Sequence, residues 1–139
     1  MFNRIVNIGI IELDYHADNL LELIEIFNLK LQSDLISIDL IVKKEVYEII
    51  KDSVIKMKNV ETKVYDNGFS HLDCLKDCQP ILNKCNLVFI NTISKNVKAF
   101  TILHHRNIIL RIHNANKQFA PIQNIDWTIS WANLIMLSK

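Results

Sequence analysis

Glycine and proline are scarce in this chain, with two of each among 139 residues, whereas hydrophobic residues make up 50%. Low hydrophobicity with abundant proline and glycine is typical of disordered chains and linkers, so the composition excludes both classes. A chain of this length buries roughly two thirds of the surface that it exposes when unfolded. We therefore expect one domain, residues 1–139, that is folded nearly from end to end.

Concentrated positive charge is also lacking, since 16 basic and 15 acidic residues give a formal net charge of +1. Non-specific binding to nucleic acid needs a dense basic surface, so we expect no nucleic-acid partner. No apolar run approaches the roughly 20 residues of a membrane-spanning helix, and the start of the chain has no cleavage-site pattern. We expect a cytoplasmic protein with at most peripheral membrane contact.

Cysteine occurs three times, at Cys74, Cys78 and Cys85, without the CxxC pairs that are typical of structural zinc sites. Together with His71 the three could form a zinc site, but the spacing favours buried or half-buried free thiols in a reducing compartment. Phosphate-binding loops of the forms GxGxxG and GxxxxGK[ST] are missing, as is the GxSxG elbow. We expect neither a metal nor a cofactor.

Short β-branched segments alternate with amphipathic ones along the chain, which is typical of βαβ units around a parallel sheet. Right-handed crossovers leave few arrangements of such units, and we expect a doubly wound, Rossmann-like α/β sheet of order 3-2-1-4-5. The predicted strands are residues 4–13, 35–42, 61–65, 86–92 and 107–113, with 126–130 as a candidate sixth.

The predicted helices follow from apolar spacing and from capping signals. The first helix carries an apolar stripe, and the second is expected to bury Val46, Ile49 and Ile50. Ser70 and Asp73 form a capping box ahead of a third helix over about 72–84, where Pro80 is expected to break or kink it. Residues 94–105 are expected to form a short helix. The stripe of the first helix comprises Leu20, Leu23, Ile24, Phe27 and Leu31.

Polar side chains gather where the predicted strands one, four and five end, and open α/β sheets bind their ligands at that edge. One polar crevice is expected to hold them all. His16 beside Asp14 or Asp18 has the composition of a general base with its orienting carboxylate, although both His16 and Asp18 could simply open the first helix. The remaining members are Glu12, Asn91, Thr92, Ser94, His113, Asn114 and Asn116.

Histidines occur at four other points of the predicted fold. His113 and Asn114 offer donors and acceptors for a sugar hydroxyl or a phosphate, but the same pair could be turn-forming residues. His104 and His105 precede the fifth strand, at the opposite edge, and are expected to be solvated surface. His71 is expected to belong to a helix start.

The fifth-strand segment IILRIHNAN resembles the amino-terminal, acceptor-side Rossmann-like domain of GT-B glycosyltransferases, and LVFINT is similar to the preceding strand of that domain. ELDYHAD stands where that family places its acceptor-side loop, often with a histidine near the helix start. The glycine-rich loop that is common in the family after the first strand is replaced here by ELDYHAD. From the polar crevice, together with this resemblance, we expect a catalytic role for His16 and Asp18 and substrate binding by Asp14, Asn91, Thr92, His113, Asn114 and Asn116.

Two functions of different classes remain open. In the first, the chain is the acceptor-side half of a glycosyltransferase and acts with a separate donor-binding chain, because GT-B enzymes bind the nucleotide sugar on a second Rossmann domain. In the second, the chain is a non-catalytic interaction protein that forms a homodimer or binds a partner through its apolar end, WANLIMLSK.

Overall fold

The computed structural model describes residues 5–14, 18–31 and 35–113. These residues form a single five-stranded sheet of order β3-β2-β1-β4-β5, and every neighbouring pair of strands is parallel. The doubly wound Rossmann-like sheet expected from the sequence is therefore confirmed. The candidate sixth strand, 126–130, lies outside the described residues. The strands are β1 (Val6–Glu12), β2 (Ile36–Lys43), β3 (Val60–Tyr65), β4 (Leu87–Ile93) and β5 (Ile108–His113).

In the described part of the chain the strands are connected by α1 (Asp18–Leu31), α2 (Lys44–Val54), α3 (His71–Asn83) and a 3₁₀ helix (Ser94–Ile102). The capping box is confirmed at its serine, because Ser70 Oγ accepts a hydrogen bond of 3.1 Å from the backbone N–H of Asp73. Helix α3 continues through Pro80. The expected short helix over 94–105 is instead a 3₁₀ helix that ends at Ile102.

The first core lies between the sheet and the helices α1 and α2. Alternate strand residues point to each face of a sheet, and here Ile8, Ile10 and Phe89 point to this one. Phe27 of α1 meets Phe89 edge to face, with ring centroids 6.2 Å apart. The stripe of α1 is buried as expected at Leu20, Leu23, Ile24 and Phe27.

The prediction for α2 was wrong at one position. Ile49 is 67% exposed, whereas Val46, Ile50 and Val54 are buried. Helix α2 packs over β2 and β3 at the edge of the sheet. Because a helix at a sheet edge contacts its neighbours along a narrow line, it buries the i, i+4, i+8 row and leaves the adjoining position in solvent.

The second core lies on the opposite face, under α3 and the 3₁₀ helix, and contains Ile11, Ile41 and Val88. Gly9 of β1 lies directly beneath α3, because a Cβ atom at this position would be 3.0 Å from Leu82 Cδ2 and 3.2 Å from Cys85 Sγ. A side chain here would crowd Leu82 and Cys85. Leu82 belongs to the last turn of α3, so the helix runs back along β1 and its first turn lies toward the carboxyl edge of the sheet.

The three cysteines lie in this second core as buried free thiols. Burial raises the pKa of Cys74, and it raises the pKa values of Cys78 and Cys85 to about 12. They are therefore packing residues, because the reactive form of cysteine is the thiolate. Within the described ranges, no helix is long and apolar enough to cross a membrane.

Candidate functional site

Buried polar side chains occur at one edge of the sheet. Of the side chains that the structure describes, five polar or charged ones are buried, and all five lie at the carboxyl ends of central strands. Burying such groups costs free energy unless they are paired, so their concentration at a single edge makes that edge the candidate site. The carboxyl edge is also where open parallel sheets bind ligands. The five residues are Glu12, Asp14, Lys43, Asn91 and Thr92.

Asp14 is the centre of this site, and its carboxylate accepts hydrogen bonds from three elements. Thr92 Oγ1 of β4 donates to Oδ2 at 2.6 Å. Asn96 Nδ2 of the 3₁₀ helix donates to Oδ1 at 2.5 Å, and His71 Nε2 of α3 is 2.7 Å from the same oxygen. The carboxylate therefore ties the end of β1 to α3, β4 and the 3₁₀ helix.

The carboxyl group of Asp14 is held in its ionised form. Burial is the largest single influence and raises its pKa, but the hydrogen bonds from His71, Thr92 and Asn96 and the charge of His71 together lower the pKa below its usual value of 3.8. A carboxylate can only accept hydrogen bonds. His71 Nε2 must therefore carry the proton of the bond to Asp14.

His71 is the accessible member of the pair, with 18% of its side chain exposed against 3% for Asp14. Because Nε2 carries the proton, the neutral ring presents the lone pair of Nδ1, and no described residue forms a hydrogen bond to that atom. The ring is supported by Phe100 edge to face, with centroids 6.2 Å apart. An imidazole oriented by a carboxylate and open at its second nitrogen has the arrangement of a general base.

The backbone beneath this pair is fixed by a second buried acid. Glu12 is fully buried, and its Oε2 accepts a hydrogen bond of 2.9 Å from the backbone N–H of Asp14. Asn91 is directly opposite Glu12 in the register of β1 and β4. Its Oδ1 is buried and accepts no hydrogen bond from any described residue.

The sites predicted from sequence fall into three groups. Asp14 and Thr92 are brought into contact, whereas Asn91 lies on the other face of β4, because neighbouring residues of a strand point to opposite sides. Asp18 begins α1, and His113 ends β5 beside Ile93 of β4. His16, Asn114 and Asn116 lie outside the described residues.

His71 and Lys43 belong to this edge although the sequence did not assign them there. His71 does begin α3, as expected of a helix-start residue, but it also binds Asp14. The capping box had already put His71 in the first turn, and in a 3-2-1-4-5 sheet that turn lies at the carboxyl edge. Lys43 lies one residue beyond the predicted strand 35–42, whereas in the structure it is the last residue of β2.

The histidines at the opposite edge have structural surroundings. His104 is exposed, as expected, but His105 is half-buried and bridges two loops. Its Nδ1 accepts a hydrogen bond from the backbone N–H of Asn107 at 3.0 Å, so its Nε2 donates to the carbonyl of Cys85 at 2.7 Å. Among the described residues, no group of three or more His, Cys, Asp or Glu side chains could hold a metal ion.

No family model, curated protein or solved structure matches this chain. The function therefore has to be argued from the geometry of the Asp14–His71 site. The site can take a proton from a ligand at Nδ1 of His71 and stabilise the resulting imidazolium through Asp14.

Proposed function

We propose that this chain is the acceptor-side half of a glycosyltransferase and that His71 is its general base. Nδ1 of His71 takes the proton of an acceptor hydroxyl, and the oxygen bonds to the anomeric carbon of a nucleotide sugar. The bond from that carbon to the nucleotide breaks, and the nucleotide leaves with the electron pair. A separate donor-binding chain holds the nucleotide sugar across the cleft.

The observation that carries this proposal is the Asp14–His71 pair at the carboxyl edge, with both carboxylate oxygens of Asp14 in use. Three donors leave Asp14 little capacity to bind a ligand, so its role is to orient His71 and to stabilise the imidazolium. Proton abstraction from a hydroxyl needs such a base within hydrogen-bond reach. Transfer to a hydroxyl acceptor is the chemistry that the family resemblance implies.

The starts of α2 and α3 favour an acceptor site over a nucleotide site. Phosphates bind helix N-termini through free backbone N–H groups and the positive end of the helix dipole. In α2 the backbone N–H of Glu45 donates to Asn67 Oδ1 at 3.0 Å, and in α3 that of Asp73 donates to Ser70 Oγ. Glu45 and Asp73 also place negative charge in the first turns of these helices.

The second function, a non-catalytic interaction protein, rests on the apolar segment 131–139, which lies outside the described residues. The interaction function remains a prediction. The described residues contain a polar site that a non-catalytic interaction protein does not need. Native mass spectrometry tests both functions, because a homodimer and a complex with a donor-binding chain differ in mass.

The test begins with the full chain isolated from its native cells, with native mass spectrometry of whatever copurifies. The isolated complex is then incubated with radiolabelled nucleotide sugars and a panel of hydroxyl acceptors, and labelled product is measured. Replacing a general base costs roughly 100-fold to 10,000-fold in rate. We expect His71→Gln to reduce transfer by at least about 100-fold, with the complex intact.

His104→Gln is the matched control, because it makes the same change at an exposed histidine on the opposite edge. It should leave transfer unchanged. His16→Gln in the same assay tests the role that the family resemblance implies for His16. A complex in which His71→Gln and wild type transfer equally, or a chain that forms only a homodimer and transfers nothing, would overturn the proposal.

A further inference from the structure

An exposed aromatic residue lies two positions before His71 in the chain. Phe69 is 44% exposed, although it is a large apolar side chain. Ser70 alone separates it from His71, so the two Cα atoms are at most about 7.6 Å apart. Leu72, on the other side of His71, is also partly exposed, at 37%. The proposed base is thus flanked in sequence by two apolar side chains that reach solvent.

The backbone of Phe69 is held on both sides. Its N–H donates to the carbonyl of Asp66 at 3.0 Å, and its own carbonyl accepts from Lys43 Nζ at 2.5 Å. Lys43 is only 4% exposed, and its hydrogen bond fixes the backbone carbonyl of Phe69 near the end of β2. The loop that carries Phe69 is therefore held by a buried side chain.

The ring of Phe69 also packs against a buried aromatic residue. It packs against Tyr65 with ring centroids 5.8 Å apart and an angle of 35° between the planes. Tyr65 is buried, and its hydroxyl donates to Asp77 Oδ2 at 2.6 Å. A ring that is fixed before binding loses little conformational entropy on contact with a ligand. Phe69 is thus a preorganised apolar surface that still faces solvent.

We propose that Phe69 is the platform on which the acceptor's sugar ring stacks, so that the acceptor of the Asp14–His71 site is a saccharide. The face of an aromatic ring carries negative charge density. The C–H bonds on the apolar side of a pyranose carry partial positive charge and complement that face. This assignment rests on the proposed function, and it names the class of acceptor and the residue that contacts it.

The helix start offers another role for Phe69, as the hydrophobic staple that packs against the residue five positions later, Cys74. A leucine keeps the apolar bulk that a staple needs, but it has no aromatic face. Phe69→Leu therefore separates the two roles. Phe69→Trp keeps an aromatic face and should rescue binding.

The test is saturation-transfer NMR on the full chain, without any donor, using methyl glycosides of glucose, galactose, mannose and N-acetylglucosamine as probes. Octyl glucoside is measured alongside them as a probe with a hydrocarbon chain. We expect at least one of them to bind, about tenfold more weakly to Phe69→Leu, and with wild-type affinity to Phe69→Trp. Ile55→Leu is the matched control, because Ile55 is 78% exposed at the end of α2. Thermal unfolding should show the same midpoint for Phe69→Leu and wild type.

Three results would overturn the saccharide platform: no binding of any methyl glycoside at 10 mM (on the order of the weakest useful affinity), equal binding by Phe69→Leu and wild type, or binding of octyl glucoside alone. The last result would assign the exposed ring to a hydrocarbon chain. These binding measurements do not depend on whether the protein transfers a sugar. Phe69-dependent binding by a complex that transfers nothing would overturn the proposed function and leave the platform standing.

Discussion

His71 and Asp14 lie 57 positions apart in the chain, and their side chains meet at 2.7 Å at the carboxyl edge of the sheet. The first belongs to the start of α3, and the second follows β1. Leu82, in the last turn of α3, packs over Gly9 in the middle of β1, so the helix runs back along the strand and its first turn lies toward the carboxyl end of β1. The pair is thus a product of helix–sheet packing.

The first prediction concerns the tautomer of His71. Since the ionised carboxylate of Asp14 can only accept, the neutral ring of His71 should carry its proton on Nε2. Long-range ¹⁵N–¹H correlation spectra, recorded at a pH where the ring is neutral, report which nitrogen is protonated. In Asp14→Ala the neutral ring of His71 should no longer be protonated mainly on Nε2. A wild-type ring protonated on Nδ1 would contradict the geometry on which the proposed base depends.

The second prediction concerns stability in acid. The pKa of Asp14 is lowered in the folded state, because its hydrogen bonds outweigh the effect of burial, so the unfolded chain binds a proton more readily. Its contribution to stability is complete well above the usual value of 3.8 and is lost as the pH falls through the lower folded value. Urea unfolding from pH 6 to pH 2.5 should therefore show a steeper loss for wild type than for Asp14→Asn. Asp52→Asn, on the exposed side of α2, should follow the wild-type curve.

The third prediction uses the two glycines as a matched pair. Gly9→Ala places a Cβ atom 3.0 Å from Leu82 and 3.2 Å from Cys85, and overpacking of this kind costs about 1–3 kcal/mol. Gly68→Ala meets no atom within 4 Å, so its free energy of unfolding should stay within about 0.5 kcal/mol of wild type. Urea unfolding measures both. Equal stability of the two variants would show that α3 does not pack on β1 as closely as the structure has it.

The fourth prediction concerns two acids that face each other across β2 and β3. Asp39 is directly opposite Glu61 in register. Burial, and next the charge of Glu61, raise the pKa of Asp39, so the folded protein gains stability from this group as the pH falls through the raised value toward 3.8. Like charges directly opposite in a sheet are destabilising. Asp39→Asn should be about 0.5–1 kcal/mol more stable than wild type at pH 7, and the gain should shrink at pH 4. An equal gain at both pH values would exclude the electrostatic cause.

The secondary structure followed closely from the sequence, because its signals are local. The five described strands begin and end within two residues of the predicted positions, and the capping serine Ser70 lies where the motif predicts it. The errors occurred at positions where tertiary packing determines which side chains are buried. Ile49 and Val54 share the apolar spacing of α2, but only the position of the helix over β2 and β3 determines that Val54 is buried.

The candidate site was predictable in part. Its place at the carboxyl edge and the membership of Asp14, Asn91 and Thr92 follow from strand order and from polar residues at strand ends. The role of Lys43 depended on the boundary of β2, because one residue separates a strand end that faces the site from a helix start. Strand alternation alone predicts that Asn91 and Thr92 serve different faces of the site. The register of β1 and β4 was needed to show that Asn91 lies opposite Glu12.

The sequence by itself determined the alternation of strands and helices, the parallel sheet and the edge at which polar residues collect. These features depend on side-chain periods of 2 and 3.6 residues and on the handedness of βαβ connections, all of which act over short stretches of chain. Only the tertiary structure decided which histidine binds Asp14 and that Phe69 is held by Lys43. Hydrogen bonds reach about 3 Å, so their partners depend on how helices and loops of distant sequence are packed together.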